Sequence, residues 1–241
     1  MKVIKVKNYE ELSRTAATII AGVILSKPDC ILGLATGSSP VGTYDQLAAM
    51  YEEGILDFSH VKSVNLDEYV GLDGSNDQSY RYFMQTNFFD HINIKPENTN
   101  VPNGLAEDPD AECIRYNKVI ADLGGVDLQV LGMGPNGHIG FNEPEEAFEL
   151  ETHVVNLTEN TIEANARFFA SKDEVPRKAI TMGIKSIMQA RHILVVVSGA
   201  DKADIVKAAF TGPVTPKVPA SILQMHPNVS LVGDAAALSK L

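Results

Sequence analysis

The stretch "GMGPNGHIGFNEP", Gly132 to Pro144, puts an imidazole and a carboxylate on one short loop, His138 and Glu143, with Asn136 just before them. A histidine with a nearby carboxylate can be held in one tautomer and kept basic enough to exchange protons near neutral pH. Taken singly, the same residues also fit ordinary roles, His138 as a capping residue and Glu143 as a solvated loop charge. No second His or Cys stands at ligand spacing, so a metal site is not indicated. The glycines at 132, 134 and 137 match G-x-G-x-x-G, but a dinucleotide turn needs a helix opening at its third glycine and an acid about twenty residues on. Here Gly140 and Pro144 follow instead, and Pro135 stiffens the turn itself. Gly134 and Gly137 are therefore read as shaping a tight, irregular loop that offers its groups to a ligand.

A second chemical signal is "ATGSSPVGTY", where Thr36, Gly37, Ser38 and Ser39 run into a helix, with Ser39 expected as N-cap and Pro40 as first helical residue. Free amides, hydroxyls and a positive dipole end make such a turn a ready anion site. It lacks the G-K-[ST] of a nucleoside-triphosphate loop, which favours a phosphate monoester; a plain capped helix is the alternative. "VSGADKA" places Lys202 in the first turn of another helix, where it opposes the dipole unless an anion binds there. Arg167 in "ANARFF" is a further candidate phosphate clamp, because a guanidinium can hold two oxygens. "NLDEY" ends a strand in Asp67 and Glu68, which must face opposite ways, so one of them enters a site. A partly desolvated carboxylate there has its pKa raised toward the range of a general base. Alone, Asp67 also fits a turn acid.

These segments share a position: each follows a run that reads as a strand. "KVIKV", "CILGLA", "VKSVNLDEY", "VDLQVLGMG", "HILVVVSG" and "VSLVGD" alternate with helical patterns, which makes βαβ units and a mostly parallel sheet. The expected architecture is a single α/β domain over residues 1–241, its sheet covered by helices on both faces in a Rossmann-like, modified doubly wound order. Ligands bind at the carboxyl ends of such strands. The 241 residues are 44% hydrophobic and 21% charged with a formal net charge of -11, as in ordinary globular proteins, and no basic block suggests nucleic acid or an anionic membrane. Cys30 and Cys113 lie far apart in core-like stretches, giving neither a disulfide framework nor a thiolate metal site. The apolar run "TAATIIAGVIL" has helical periodicity and is too short to span a bilayer, which leads to the expectation of a cytoplasmic protein.

Together the segments "GLATGSSPVGTY", "NLDEYVGL", "SYRYFM", "LGMGPNGHIGFNEP", "ARFF", "VVSGADKA" and "PASILQMHPNVSLVGD", in that order along nearly the whole chain, resemble the glucosamine/galactosamine-6-phosphate isomerase family and its glucosamine-6-phosphate deaminases. The resemblance implies conversion of glucosamine 6-phosphate and water to fructose 6-phosphate and ammonium, with no organic cofactor or metal. It implies that His138 moves a proton between the anomeric hydroxyl and the ring oxygen, that Asn136 and Glu143 position and tune it, and that Asp67 carries the C2 proton to C1. Thr36, Gly37, Ser38, Ser39, Gly134, Gly137, Arg167 and Lys202 would bind the substrate and its phosphate, with the stretch around Thr158 to Met188 acting as a lid. Two features differ from the larger, allosterically regulated members: some relatives have Asp where this chain has Asn136, and the chain stops at Leu241 without their C-terminal extension. Activation by an acetylated sugar phosphate and a hexameric assembly are accordingly not expected, and monomer and homo-oligomer stay open. His226 in "QMHPN" borders the sugar or is structural. Two rivals share the fold. A 6-phosphogluconolactonase would need no carbon-acid base, whereas "GFNEP" and "LDEY" favour the deaminase; a sugar-phosphate-sensing regulator would carry a helix-turn-helix segment ahead of Lys2.

Overall fold

A computed structural model describes residues 1–241 apart from 167, 168, 170, 172 and 173. In chain order its strands are β1 (Lys2–Val6), β2 (Ile31–Leu34), β3 (Lys62–Asn65), β4 (Asp67–Tyr69), β5 (Thr99–Asn100), β6 (Leu128–Leu131), β7 (His153–Asn156), β8 (Lys178–Thr181), β9 (Ile193–Val197) and β10 (Val229–Asp234). The α-helices are α1 (Tyr9–Ser26), α2 (Ser38–Glu52), α3 (Tyr80–Asn87), α4 (Pro109–Asp122), α5 (Glu159–Asn165), α6 (Ile184–Met188) and α7 (Ala203–Thr211).

Seven strands form one sheet in the order β1-β10-β9-β6-β2-β3-β5, and every pairing within it is parallel. Every residue of β2, β6, β9 and β10 is buried. Because successive side chains point to opposite faces, unbroken burial requires cover on both sides, and the flanking helices supply it. On α1, Leu12, Ala16, Ala17, Ile20 and Ile24 recur at helical spacing and are buried, so this stripe packs the helix against α2 and over β10 and β9. The parallel core of the sequence reading is present, with its ligand-facing ends where β2, β3 and β6 finish.

Three features depart from the sequence reading. "VKSVNLDEY" is two strands rather than one. The N–H of Leu66 donates to the Leu34 carbonyl in the parallel sheet, while the Leu66 carbonyl accepts from Met182. One residue thus passes the chain to a second, antiparallel sheet of order β4-β8-β7. That sheet contains β8, a strand inside the stretch expected to be a lid. Ala179, Ile180 and Thr181 are buried and paired on both sides, so from Lys178 onward the segment is fixed framework. Finally, α2 begins two residues early: its N-cap is Gly37 at φ 88°, and Ser39 and Pro40 lie inside the first turn.

Candidate active site

A cavity of about 390 Å³ opens at the carboxyl ends of β2, β3 and β6. The turn after β2 contributes Thr36, Gly37, Ser38 and Ser39; the handover after β3 contributes Leu66 and Asp67; the loop after β6 contributes Gly134, Asn136 and His138. The turn is anchored from beneath by Tyr44, whose buried hydroxyl donates to the Ala35 carbonyl at 2.6 Å and accepts the Ala35 amide at 3.2 Å.

The β6 loop folds back on itself, the Gly134 amide donating to the His138 carbonyl at 3.0 Å. This lays the imidazole flat on Gly134, where any Cβ would fall 2.2–2.5 Å from three ring atoms. Glycine is needed at 134 so that His138 can lie across it. Gly137 has a different role. At φ 87° it makes the turn and packs against Val218 and Ile205, with its carbonyl accepting from Ala220, and it does not line the cavity. No helix opens after it.

Glu143 lies buried behind His138. The Asn136 amide donates to its Oε2 at 2.6 Å, the Thr161 hydroxyl donates to its Oε1, and the Thr158 hydroxyl stands 3.4 Å from the same oxygen. His138 Nδ1 is 3.5 Å from Oε2, close enough for an ion pair but not aligned as a hydrogen bond. Burial alone would push the carboxyl up; the His138 interaction, with Thr161 and Asn136, outweighs it and brings the pKa down to about 2. Asn136 bridges the pair, since its Oδ1 also accepts the His138 amide at 3.1 Å. A neutral amide can donate to Glu143 and accept from His138 at once, which an ionised aspartate could not do.

The two acids of "LDEY" separate as their alternation requires. Glu68 turns away from the cavity and accepts the amides of Tyr69, Tyr80 and Arg81, each at 2.9 Å, and the Ser79 hydroxyl at 3.1 Å. It fastens the start of α3 and so fixes Tyr80, which lines the cavity and stacks on Phe141 at 5.9 Å. Asp67 faces the cavity, is 5% exposed, and has no hydrogen-bond partner among the described residues. Burial, reinforced by the neighbouring Glu68, raises its pKa to about 8. Burial raises the Glu68 pKa as well, but its four donors oppose that rise while Asp67 has none, so near neutrality Asp67 is the member of the pair poised to gain or lose a proton.

Lys202 ends a 3-10 turn, Ala200–Lys202, and caps α7 from outside its first turn. It is half-buried, and burial lowers its pKa against the opposing pull of Asp201. It does not line the cavity. Arg167 lies outside the described residues. His226 is structural: buried, it bonds the Ala190 carbonyl at 2.8 Å and the Asn228 backbone at 3.1 Å, away from the site. Among the described residues no cluster of His, Cys, Asp or Glu is placed to hold a metal ion, and no helix is long and apolar enough to cross a membrane.

Sequence reasoning missed Thr161, Tyr80 and Phe141. Thr161 had a local signal, being three residues after the N-cap Thr158, but its aim at Glu143 is a contact across the fold.

The family model described as "Glucosamine-6-phosphate isomerases/6-phosphogluconolactonase" matches residues 6–231. The glucosamine-6-phosphate deaminase of Lachnoclostridium phytofermentans is 61% identical, over 96% of this chain and 98% of its own. That of Clostridium perfringens strain 13 is 58% identical over the whole of both chains. The solved structure of a monomeric glucosamine-6-phosphate deaminase superposes with a TM-score of 0.97 at 47% identity, covering both chains fully. With site geometry and full-length similarity in agreement, the chain belongs to the glucosamine-6-phosphate isomerase/6-phosphogluconolactonase family.

Proposed function

We propose that the protein is an enzyme that converts glucosamine 6-phosphate and water to fructose 6-phosphate and ammonium. The observation that carries this over lactone hydrolysis is Asp67: a buried, unpartnered carboxyl with pKa raised to about 8, facing the same cavity as the His138–Glu143 pair. Ester hydrolysis has no use for a second base, whereas removing a proton from carbon requires one that is desolvated and strong. The deaminases at 61% and 58% identity support the same choice within the family.

In this reading His138 takes the proton of the anomeric hydroxyl and returns it to the ring oxygen, opening the pyranose. Glu143, kept anionic by its donors, stabilises the imidazolium that forms in between. Asp67 then removes the C2 proton, giving an enolamine, and delivers that proton to C1. The resulting C2 iminium adds water and expels ammonia, leaving the ketone. Thr36, Ser38, Ser39 and the amides opening α2 hold the phosphate, with Gly134 close by; Lys202 and Arg167 are the cations this reading assigns to it. The amino-sugar phosphate is the partner; a net charge of -11 with no block of Lys and Arg in the sequence speaks against nucleic acid, and two free, buried cysteines suit a reducing cytoplasm.

Incubation with glucosamine 6-phosphate, following ammonium and fructose 6-phosphate together, tests the reading. Both products should form in equal amounts. Folded protein that yields neither would overturn it, and hydrolysis of 6-phosphogluconolactone in their place would establish the rival.

A further inference from the structure

The first turn of α2 lacks a side-chain cap, because Gly37 at its N-cap has no side chain. A phenol from another helix braces the same turn from its carbonyl side. Tyr9, the first residue of α1, places its hydroxyl 2.9 Å from the Ser38 carbonyl and 3.2 Å from the Ser39 carbonyl, and it accepts the Gly42 amide at 3.0 Å. The approach depends on Gly42, where a Cβ would lie 2.4 Å from Ser13 Oγ and 3.1 Å from Tyr9 Cε1. Ser13 in turn donates to the Tyr9 carbonyl at 2.8 Å, holding the tyrosine backbone in place.

The peptide plane carries this contact to the cavity. In a trans peptide the C=O of one residue and the N–H of the next point in opposite directions. Tying the Ser38 carbonyl on the α1 side therefore aims the Ser39 amide the other way. At a helix start the first amides have no partner within the helix, and Pro40 has no N–H at all, so Ser38 and Ser39 supply the amides of this turn, and both residues line the cavity. The phenol contacts both ends of the Ser38–Gly42 rung and so ties the first turn of α2 to α1.

We propose that Tyr9 is a positioning residue for the anion cradle, its hydroxyl holding the Ser38–Ser39 peptide with its amide toward the cavity, where the phosphate of a sugar phosphate binds. The proposal rests on the phosphate-cradle reading above. It makes Tyr9 matter for binding the anion and not for the proton transfers at the other end of the substrate.

The test is Tyr9→Phe, which removes one oxygen, with Gly42→Ala as a second variant that pushes Tyr9 and Ser13 aside. Wild-type protein is first assayed with glucosamine 6-phosphate and with inorganic phosphate as competitor. No turnover and no competition there would remove the cradle and the proposal with it. Given both, Tyr9→Phe should raise KM and the inhibition constant of phosphate about three- to tenfold, the scale of one net hydrogen bond, with kcat within about twofold. Unchanged KM and phosphate inhibition, or a kcat that falls as far as KM rises, would overturn the role of Tyr9 while leaving the cradle standing.

Discussion

Asp67 is placed for chemistry at the expense of stability, and Asp67→Asn should expose the trade. In the folded chain its pKa is about 8, against an ordinary 3.8. A carboxyl raised in this way holds a proton in the native state that the unfolded chain has already released. Its contribution to stability is therefore intact below about pH 3.8 and is lost as pH rises toward 8. Each unit of pH across that window costs about 1.4 kcal/mol, so at pH 7 the ceiling is about 4 kcal/mol and at pH 5 about 2 kcal/mol. Asp67 borders an open cavity, and water reaching it should halve these figures to about 2 and about 1 kcal/mol. Asparagine has similar volume and no charge to desolvate. At about 2–4 °C per kcal/mol for a chain of this size, the variant should melt about 4–8 °C above wild type at pH 7, and the gap should narrow toward pH 5. Thermal unfolding by circular dichroism at pH 5, 6, 7 and 8, without sugar or phosphate, measures this. Exchange of the C2 hydrogen with solvent should be abolished in the same variant. A gap that does not change with pH, or a variant less stable than wild type at pH 8, would refute the assignment of a strained, proton-holding Asp67.

The same carboxyl must be ionised to act as a base, so kcat/KM should rise with pH along a limb whose midpoint lies near 8, and that limb should vanish from any residual activity of Asp67→Asn. Asn136→Asp would set two carboxyls at the 2.6 Å separation now spanned by an amide and Glu143; one must keep a proton, so the pH–rate profile should gain a titration displaced upward from that of a lone carboxylate, and a superimposable profile would contradict the bridging role of the amide. Lys202→Ala should weaken phosphorylated ligands about tenfold or more while leaving glucosamine itself nearly unaffected, as read by inhibition constants; equal losses would remove Lys202 from the phosphate site.

Sequence alone determined whatever depends on local spacing. The runs at β2, β6 and β9 are apolar enough to demand burial on both faces, and Gly, Ser, Asp and His after the strands mark the ligand-facing ends of a parallel sheet. The opposite facing of Asp67 and Glu68 follows from strand alternation, and the failure of the glycine triplet to open a helix follows from Pro135 and Gly140. Tertiary structure decided which of these residues meet. That Leu66 hands the chain from one sheet to another, so that Asp67 arrives in the cavity opened by the β6 loop, depends on β8, a strand whose partners lie far away in sequence. The low pKa of Glu143 comes from Thr161, Asn136 and His138 converging on one carboxylate, and the high pKa of Asp67 from burial without donors. The hold of Tyr9 on the cradle spans two helices. Hydrogen bonding and desolvation act through space over a few ångströms, and spacing along the chain carries no record of which distant groups will come that close.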